Sequence, residues 1–444
     1  MISTEPLLSV GLIENAREVH GSFNGDYELP TSVKLRDSFR IISEDGQLVL
    51  YDDEDVEVIR STELLCRSLN GATFTLSDVT IGLNFHWERK EQQTFDGDMR
   101  VCLNAGRTFT VFNDVRLEKY LQSVISSEMS AEAPIEFLKA HAITSRSWLV
   151  AALAHREKNK TLRVTRQHPL ETENEFIRWY EREDHASFDV CADDHCQRYQ
   201  GITKILSSSV QEAIEATRGI FLVAGNEVCD ARFSKACGGR TELFENCWEE
   251  KSISYLQSIA DSSVNYPPIV HDADAEHWIA SSPDVYCNTT DSNILKHILP
   301  SFDQETTDYF RWKVVYSREQ LEDILKIKSG IDFGTVMDIV PVKRGPSGRI
   351  IKLRIEGSKR TMIAGKELEI RRWLSTSHLY SSAFIVNIER DVNGFPIKFV
   401  IHGAGWGHGV GLCQIGAAVM ASKGFSAEEI VKHYFKDVEL KKLY

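Results

Sequence analysis

Residues 117–151, LEKYLQSVISSEMSAEAPIEFLKAHAITSRSWLVA, decide how this chain is read, because they interrupt a strand-rich sequence with two consecutive helices. Leu117, Tyr120, Leu121, Val124, Ile125 and Met129 recur at helical spacing, which gives the first helix one apolar face. The second helix is expected to begin near Pro134, since proline's missing N–H costs nothing in a first turn, and to run to about Lys158.

Upstream, residues 31–114 carry β-branched and aromatic runs (VKLRDSFRII, GQLVLY, ATFTLSDVTIGL, RVCLNAGRTFTVF) punctuated by Asp45-Gly46, Asn70-Gly71 and Asp96-Gly97. Those pairs tolerate the left-handed backbone of tight turns, so the stretch reads as antiparallel sheet. Downstream, 160–260 is a mixture of short elements, 262–332 reads as an inserted α/β segment, and 336–401 alternates again in GRIIKLRI, SAFIVNI and IKFVIHG. The last 35 residues read as helical: Gly424 ends one helix, and the capping box Ser426-Ala-Glu-Glu429 opens another with Ala427, Ile430, Val431 and Tyr434 on one face. The expected class is α+β, a mixed β-rich protein with a central helix pair and a C-terminal glycine-rich strand-helix motif. Its expected organisation is an N-terminal β-rich region (1–111), a first core part (112–261), an insertion (262–335) and a second core part (336–444).

The chain has 444 residues, 42% of them hydrophobic, enough for a core that encloses a deep site. Its 51 basic and 65 acidic residues give a formal charge of -14, spread along the chain, which disfavours a nucleic-acid partner. No run approaches the roughly 20 apolar residues of a membrane span, and MISTEPLLSVGLIENAREVHG has neither the basic n-region nor the apolar h-region of an export signal. Nine cysteines at irregular spacing do not form a disulfide framework and suit reduced thiols with a metal site at least as well. The compartment stays open on these grounds.

Glu128 lies four residues after Val124 and seven after Leu121, which places its carboxyl toward the apolar side of its helix. Partial burial and the negative end of the helix dipole both favour the protonated acid, the form a glycosidic leaving group needs. The blander alternative is a helix-end glutamate turned to solvent or paired with Lys139 or Arg146. Those two cations are seven residues apart and share a face of the next helix, where they can line one side of a cleft.

In HGAGWGHGVGLCQIGA, glycine occupies 403, 405, 407, 409 and 411. An extended strand would put all five on one face and Trp406, His408 and Val410 on the other, allowing a backbone or a flat ligand to approach closely. The alternative is a packing device between neighbouring strands. A second glycine motif, SKACGGRTE (Ser234–Glu242), follows an apparent strand, VCDARF, and alone signals only a turn. His185, Cys191, His195 and Cys196 lie within twelve residues and offer the imidazole and thiolate donors of a closed tetrahedral zinc site. Surface histidines with two core cysteines are the alternative. If metal binds, four protein ligands leave no position for water, so the role is structural. Cys237 and Cys247 flank another loop and can pair if the protein is exported.

Together these segments resemble the stage II sporulation protein D family, which includes proteins called amidase enhancers. The resemblance is carried, in the family's order, by VISSEMSAEAPIEFLKAHAITSRSWLVA, CGGRTE, YLQSI (255–259), LEIRRWL with SSAF (368–384) and GHGVGLCQIGAAVMASKGFSAEEIVKHYF, over roughly 112–260 and 336–444. It implies a peptidoglycan lytic transglycosylase acting on stem-free glycan strands or fragments, with Glu128 as the single catalytic acid/base. It places Lys139, Arg146, Ser234, Gly238, Gly239, Thr241, His408 and Gln414 in motifs around the family's cleft as substrate-binding candidates. It implies zinc on His185, Cys191, His195 and Cys196. A cell-wall amidase becomes a candidate partner and the cell envelope the expected location, although the absence of a visible leader leaves fragment recycling inside the cell as the other option. The sequence departs from the family at Cys413, where serine is common, in its long insertion, and in that missing leader. Two rivals remain: a noncatalytic glycan-binding enhancer of an amidase, and a zinc-dependent hydrolase centred on the His/Cys cluster.

Overall fold

The computed structural model describes residues 2–82, 88–162, 169–178, 185, 187–193, 195–204, 207–300, 304 and 306–444. The protein is mixed α+β with more residues in strands than in helices. In chain order the helices of eight or more residues and the shorter α-helical turns are α1 (Leu117–Glu128), α2 (Ile135–Leu162), α3 (Ser208–Ala216), α4 (Asp272–Ala280), α5 (Ser292–Ile298), α6 (Arg318–Ser329), α7 (Glu367–Trp373), α8 (Gln414–Ser422) and α9 (Ala427–Tyr434). The chain folds into two compact units, each assembled from separated stretches: unit 1 from Met1–Glu132, Asp184–Ile220 and Lys442–Tyr444, unit 2 from Ala133–Glu183 and Phe221–Lys441.

Unit 1 is built on one large sheet, ordered Val190–Cys191, Leu7–Ala16, Phe109–Arg116, Asp98–Leu103, Glu63–Ser68, Glu18–Glu28, Lys34–Glu44, Gln47–Tyr51 and Glu57–Ser61. Thr73–Ile81 joins the side of Glu18–Glu28 and carries Arg89–Asp96. The expected antiparallel region is present, apart from 83–87, which lie outside the described residues. It also starts earlier than expected, because Leu7–Ala16 and Glu18–Glu28 are strands. Asp45 and Gly46 both take positive φ and close a two-residue hairpin, with Glu44 facing Gln47. Asn70-Gly71 and Asp96-Gly97 instead turn corners between strands that do not pair with each other.

Helix α1 forms where the periodicity placed it, with Leu117, Tyr120, Leu121, Val124 and Ile125 fully buried. Its N-terminus has no side-chain cap of its own; Glu5 from the first strand's approach accepts from the Glu118 N–H at 3.1 Å, and Pro6 O accepts from Leu117 N–H at 3.0 Å. An orphan helix donor thus meets a carboxylate at the positive end of the dipole. The helix stops at Glu128, after which Met129 is extended.

Unit 2 wraps α2, buried on nearly every side from Phe137 to Val150, with α8 and α9 packed on it. A helix so enclosed is a core element, which accounts for its lack of a strong polar face. A five-stranded sheet (Leu170–Glu171, Glu175–Ile177, Thr361–Gly365, Ile350–Gly357, Val336–Arg344) and a three-stranded one (Arg311–Ser317, Pro396–Ala404, Phe384–Arg390) share a core around Trp312, Phe384, Trp373 and Ile401. The Ser426–Glu429 capping box is formed, Gly424 follows α8 with positive φ, and Ala427, Ile430, Val431 and Tyr434 are all buried as expected. The last residues are not all helical: Glu439–Lys442 is a strand.

The glycine alternation is not a strand face. Only Gly403 lies in a strand, Pro396–Ala404, while Gly405, Gly407, Gly409 and Gly411 all have positive φ between 73° and 95°. Every second residue is left-handed, a state open to glycine at little cost. Close approach is the reason: a Cβ on Gly411 would sit 2.1 Å from Arg232 O, and one on Gly405 would sit 2.7 Å from Ala236 O. Gly411→Val is therefore expected to destabilise unit 2 by about 3–5 kcal/mol, from strain plus a backbone clash. An unchanged denaturation midpoint would contradict that. The preceding apparent strand VCDARF is not continuous: Val228 ends a short strand antiparallel to Ile220–Ala224, and Phe233–Ser234 pairs in parallel with Leu412–Cys413.

Candidate functional site

In unit 1, Glu128 is the last residue of α1 and is half-buried. The backbone N–H of Arg198 donates to its Oε1 at 2.9 Å. Arg198 belongs to a buried segment, 197–200, fixed along α1 by Gln200 N–H donating to Ser123 Oγ (3.0 Å) and by Tyr199 stacking on Tyr120 with centroids 5.0 Å apart. The Tyr199 hydroxyl donates to Asn113 Oδ1 at 2.5 Å, which anchors the same segment to the sheet.

That segment leaves directly from the His/Cys cluster. The donor atoms of His185, Cys191, His195 and Cys196 all lie within 4.8 Å of one another, a grouping able to hold a metal ion. His185 Nε2 is 3.3 Å and His195 Nδ1 3.4 Å from Cys196 Sγ. The cluster is seated on the sheet edge, where Val190–Cys191 pairs with Val10 and Gly11, and Phe188 stacks on His185 at 4.2 Å over Gly11, which has no side chain to obstruct it. The Cys191 thiol is held well below its usual range, first by Cys196 and then by the two imidazoles, against the opposing effect of burial. A thiolate is the ligating form. Tyr199 N–H donates to Ala192 O and Cys196 N–H to Asp193 O, so the loop that makes the cluster and the segment that meets Glu128 are one piece.

The other candidates lie in unit 2. Lys139 pairs with Glu136 on its own helix at 2.8 Å, and the second oxygen of Glu136 accepts from Ala427 N–H at the start of α9. Arg146 is fully buried. Thr241 Oγ1 donates to Gln257 O (3.0 Å) and accepts from Ile259 N–H (2.9 Å), joining CGGRTE to YLQSI. Gln414 is buried and its Nε2 lies 3.2 Å from His141 Nε2. Burial, with Lys235 adding to it, pushes His141 down to about 3, so this ring is neutral and accepts. These contacts tie Lys139, Thr241 and Gln414 to neighbouring elements within the unit.

Ser234, Gly238, Gly239 and His408 are brought together around the two glycine loops. Ser234 Oγ is buried and has no partner among the described residues, and a Cβ on Gly407 would lie 3.0 Å from its own Cβ. His408 is half-buried against Trp248, and its Nδ1 accepts from Val410 N–H at 3.0 Å. Burial and the guanidinium groups of Arg232 and Arg349 hold the ring well below its usual range, so it is neutral with its proton on Nε2. Trp406 stacks on Tyr380 at 4.1 Å. Gly238 O accepts from Trp278 Nε1 (3.0 Å) and Arg311 Nη1 (3.2 Å), both from the insertion.

Sequence reading missed the residues that clamp these loops. Arg349, inside GRIIKLRI, is fully buried and donates to Cys237 O (3.0 Å) and Gly407 O (2.9 Å). It lies so close to Gly409 that a Cβ there would be 2.5 Å from Cζ. Glu242, also fully buried, accepts from Ser347 Oγ, Leu243 N–H and Asn246 Nδ2. For Arg349, a charged residue at the start of a strand pattern was the available signal. The suggested Cys237–Cys247 pair is not present: both thiols are free, Cys247 faces His408 O, and Cys237 faces Cys287.

Residues 105–223 match the family model described as stage II sporulation protein. The chain carries a stage II sporulation protein domain. Glu128, α1, α2 and the whole His/Cys cluster lie inside that domain. Residues 242–411 match a second model, described as a domain of unknown function (DUF8618). The chain is 25% identical to a stage II sporulation protein D of Bacillus amyloliquefaciens over 74% of each chain. It is 26% identical to an uncharacterised protein of Brachyspira hyodysenteriae over 75% of this chain and 68% of that one. It is also 25% identical to an amidase enhancer of Bacillus subtilis over 53% of this chain and 33% of that one. These are distant homologues. No helix among the described residues is long and apolar enough to cross a membrane.

Proposed function

We propose that the protein is a peptidoglycan lytic transglycosylase that cleaves the MurNAc–GlcNAc bond of glycan strands, with stem-free strands as the substrate class and Glu128 as acid and base in turn. The observation that carries this reading is a half-buried carboxylate at a helix end, oriented by the Arg198 amide, inside a stage II sporulation protein domain. The protonated carboxyl of Glu128 gives its proton to the bridging oxygen as the bond to MurNAc C1 breaks. The carboxylate then removes the proton from the C6 hydroxyl of the same sugar while that oxygen closes on C1, forming the 1,6-anhydro ring. The internal hydroxyl takes the place of water, so proximity supplies part of the rate and one carboxylate suffices.

The donor set of the His/Cys cluster fits zinc: two imidazoles and two thiols around one point, one thiol already favoured as thiolate. His185, Cys191, His195 and Cys196 would hold the ion, which would fix the loop and supply no group to the reaction. Their role is to fix the loop whose continuation presents the Arg198 N–H to Glu128. These four are positioning residues. Cys196→Ser is expected to release the metal and lower kcat by about 10–100-fold, the usual scale for supporting groups. KM should change little. A loss confined to KM would contradict this role.

The test is mass spectrometry of stem-free glycan strands digested by the purified protein. Products ending in 1,6-anhydro-MurNAc are expected, and reducing ends without the anhydro ring would refute the proposal. The match to an amidase enhancer favours a second reading, a glycan-binding partner that stimulates a separate amidase. That reading calls for binding to the same strands with no product at all.

A further inference from the structure

Cys237, Asp261, Cys287 and Cys413 meet inside unit 2, all buried, with one donor atom from each lying within 4.8 Å of the others. We propose that they form a second metal site, for a thiophilic divalent cation of the zinc type, which pins the insertion to both glycine loops. The inference stands apart from glycan cleavage and would hold whatever reaction the protein performs.

The distances fit a metal and do not fit a disulfide. Cys237 Sγ and Cys287 Sγ are 3.8 Å apart, whereas bonded sulfurs are separated by about 2.05 Å. Two thiolates on a tetrahedral zinc, each about 2.3 Å from the ion, lie about 3.8 Å from one another. Three thiols also cannot all pair, so a disulfide would strand one sulfur in the core.

The surroundings are arranged as supporting groups of a site. Cys413 is the N-cap of α8, where the helix dipole favours an anion, and its Sγ accepts from the Cys237 backbone N–H at 3.2 Å. Asp261 is held through both oxygens: Oδ1 accepts from the Tyr434 hydroxyl at 2.6 Å and Oδ2 from the Cys287 N–H at 2.8 Å. Hydrogen bonds of this kind orient a carboxylate toward a metal. Gly416 leaves room for it, since a Cβ there would be 2.4 Å from Asp261 Oδ1. All four residues are buried. A divalent cation is what makes thiolates and a carboxylate compatible with such an interior.

The four residues come from four places in the chain. Cys237 opens CGGRTE, Asp261 follows YLQSI, Cys287 lies in the insertion between α4 and α5, and Cys413 closes the glycine-alternating segment. One ion would tie these together beside Gly238, whose carbonyl already takes the insertion's Trp278 and Arg311. The long insertion thereby acquires a job, to hold the glycine loops in their left-handed conformation.

The experiment measures zinc in the full chain purified under reducing conditions without chelator, with X-ray absorption counting sulfurs around the metal. Two equivalents are expected in the wild type, and one each in Cys287→Ser and Cys196→Ser. In Cys196→Ser the remaining ion should have three sulfurs and one lighter neighbour. A wild type that binds no zinc, or only zinc with two sulfurs and two nitrogens, overturns the proposal, as does a Cys237–Cys287 disulfide in the peptide map. A wild type with one equivalent in a three-sulfur shell supports this site and rejects zinc on the His/Cys cluster. If Cys287→Ser does not fold, the wild-type stoichiometry and sulfur count still decide.

Discussion

Glu128→Gln is expected to lower the turnover of stem-free glycan strands by about 10²–10⁴-fold, the range for loss of a general acid/base. Glutamine keeps the size of the side chain and an oxygen able to accept the Arg198 N–H, so the hydrogen bond seen at 2.9 Å can survive. What it cannot do is lose and regain a proton. The fall should therefore appear in kcat, with KM, zinc content and the thermal midpoint near their wild-type values. This pattern separates the proposal from both rivals. A zinc hydrolase centred on the His/Cys cluster would tolerate the substitution, and a noncatalytic enhancer would have no turnover to lose. More than a tenth of wild-type activity in Glu128→Gln would sink the acid/base assignment. The companion variant Cys196→Ser, which acts only through position, should fall less steeply, and its remaining activity should still require Glu128.

Where the signal is local, the chain was readable. The apolar stripe of α1, the capping box at Ser426 and the hairpin at Asp45-Gly46 each depend on residues a few positions apart, and each formed as expected. The His/Cys cluster was found for the same reason, since its four donor residues sit within one short stretch. The second cluster had no such spacing: Cys237 is 50 residues from Cys287 and 176 from Cys413, so only the folded chain brings them together. The donor that orients Glu128 was also invisible, because a backbone N–H has no side-chain signature. The glycine alternation misled in a more instructive way. A period of two imitates a strand face, yet here it marks alternate left-handed residues threaded past Arg232, Ser234, Ala236 and Arg349. Composition alone could not separate those two cases, because glycine serves both.

That threading makes unit 2 rely on groups kept neutral or satisfied deep inside it, and the expected consequence is acid lability. Burial holds His141 at about 3 and His378 at about 4, both far below the usual imidazole value. The sign follows from proton binding. Between about pH 6.5, where an unfolded histidine takes up its proton, and these depressed values, the unfolded chain binds protons that the folded chain refuses. Stability is then complete above about pH 6.5 and falls as the pH drops toward 4 and then 3, by about 1.4 kcal/mol per pH unit for each such ring. From pH 6.5 to pH 5 each such ring should remove up to about 2 kcal/mol, and His408 and His433, which burial also holds low, add to the fall. His141→Leu isolates one ring. It loses the contact with Gln414 and should be less stable than wild type at pH 7, yet its denaturation midpoint should depend on pH by one proton less. Denaturant titrations at pH 7, 6 and 5 read both quantities. If the His141→Leu slope matched the wild-type slope, the ring would have to be protonated in the folded protein, and its place as a neutral acceptor under α8 would have to be given up.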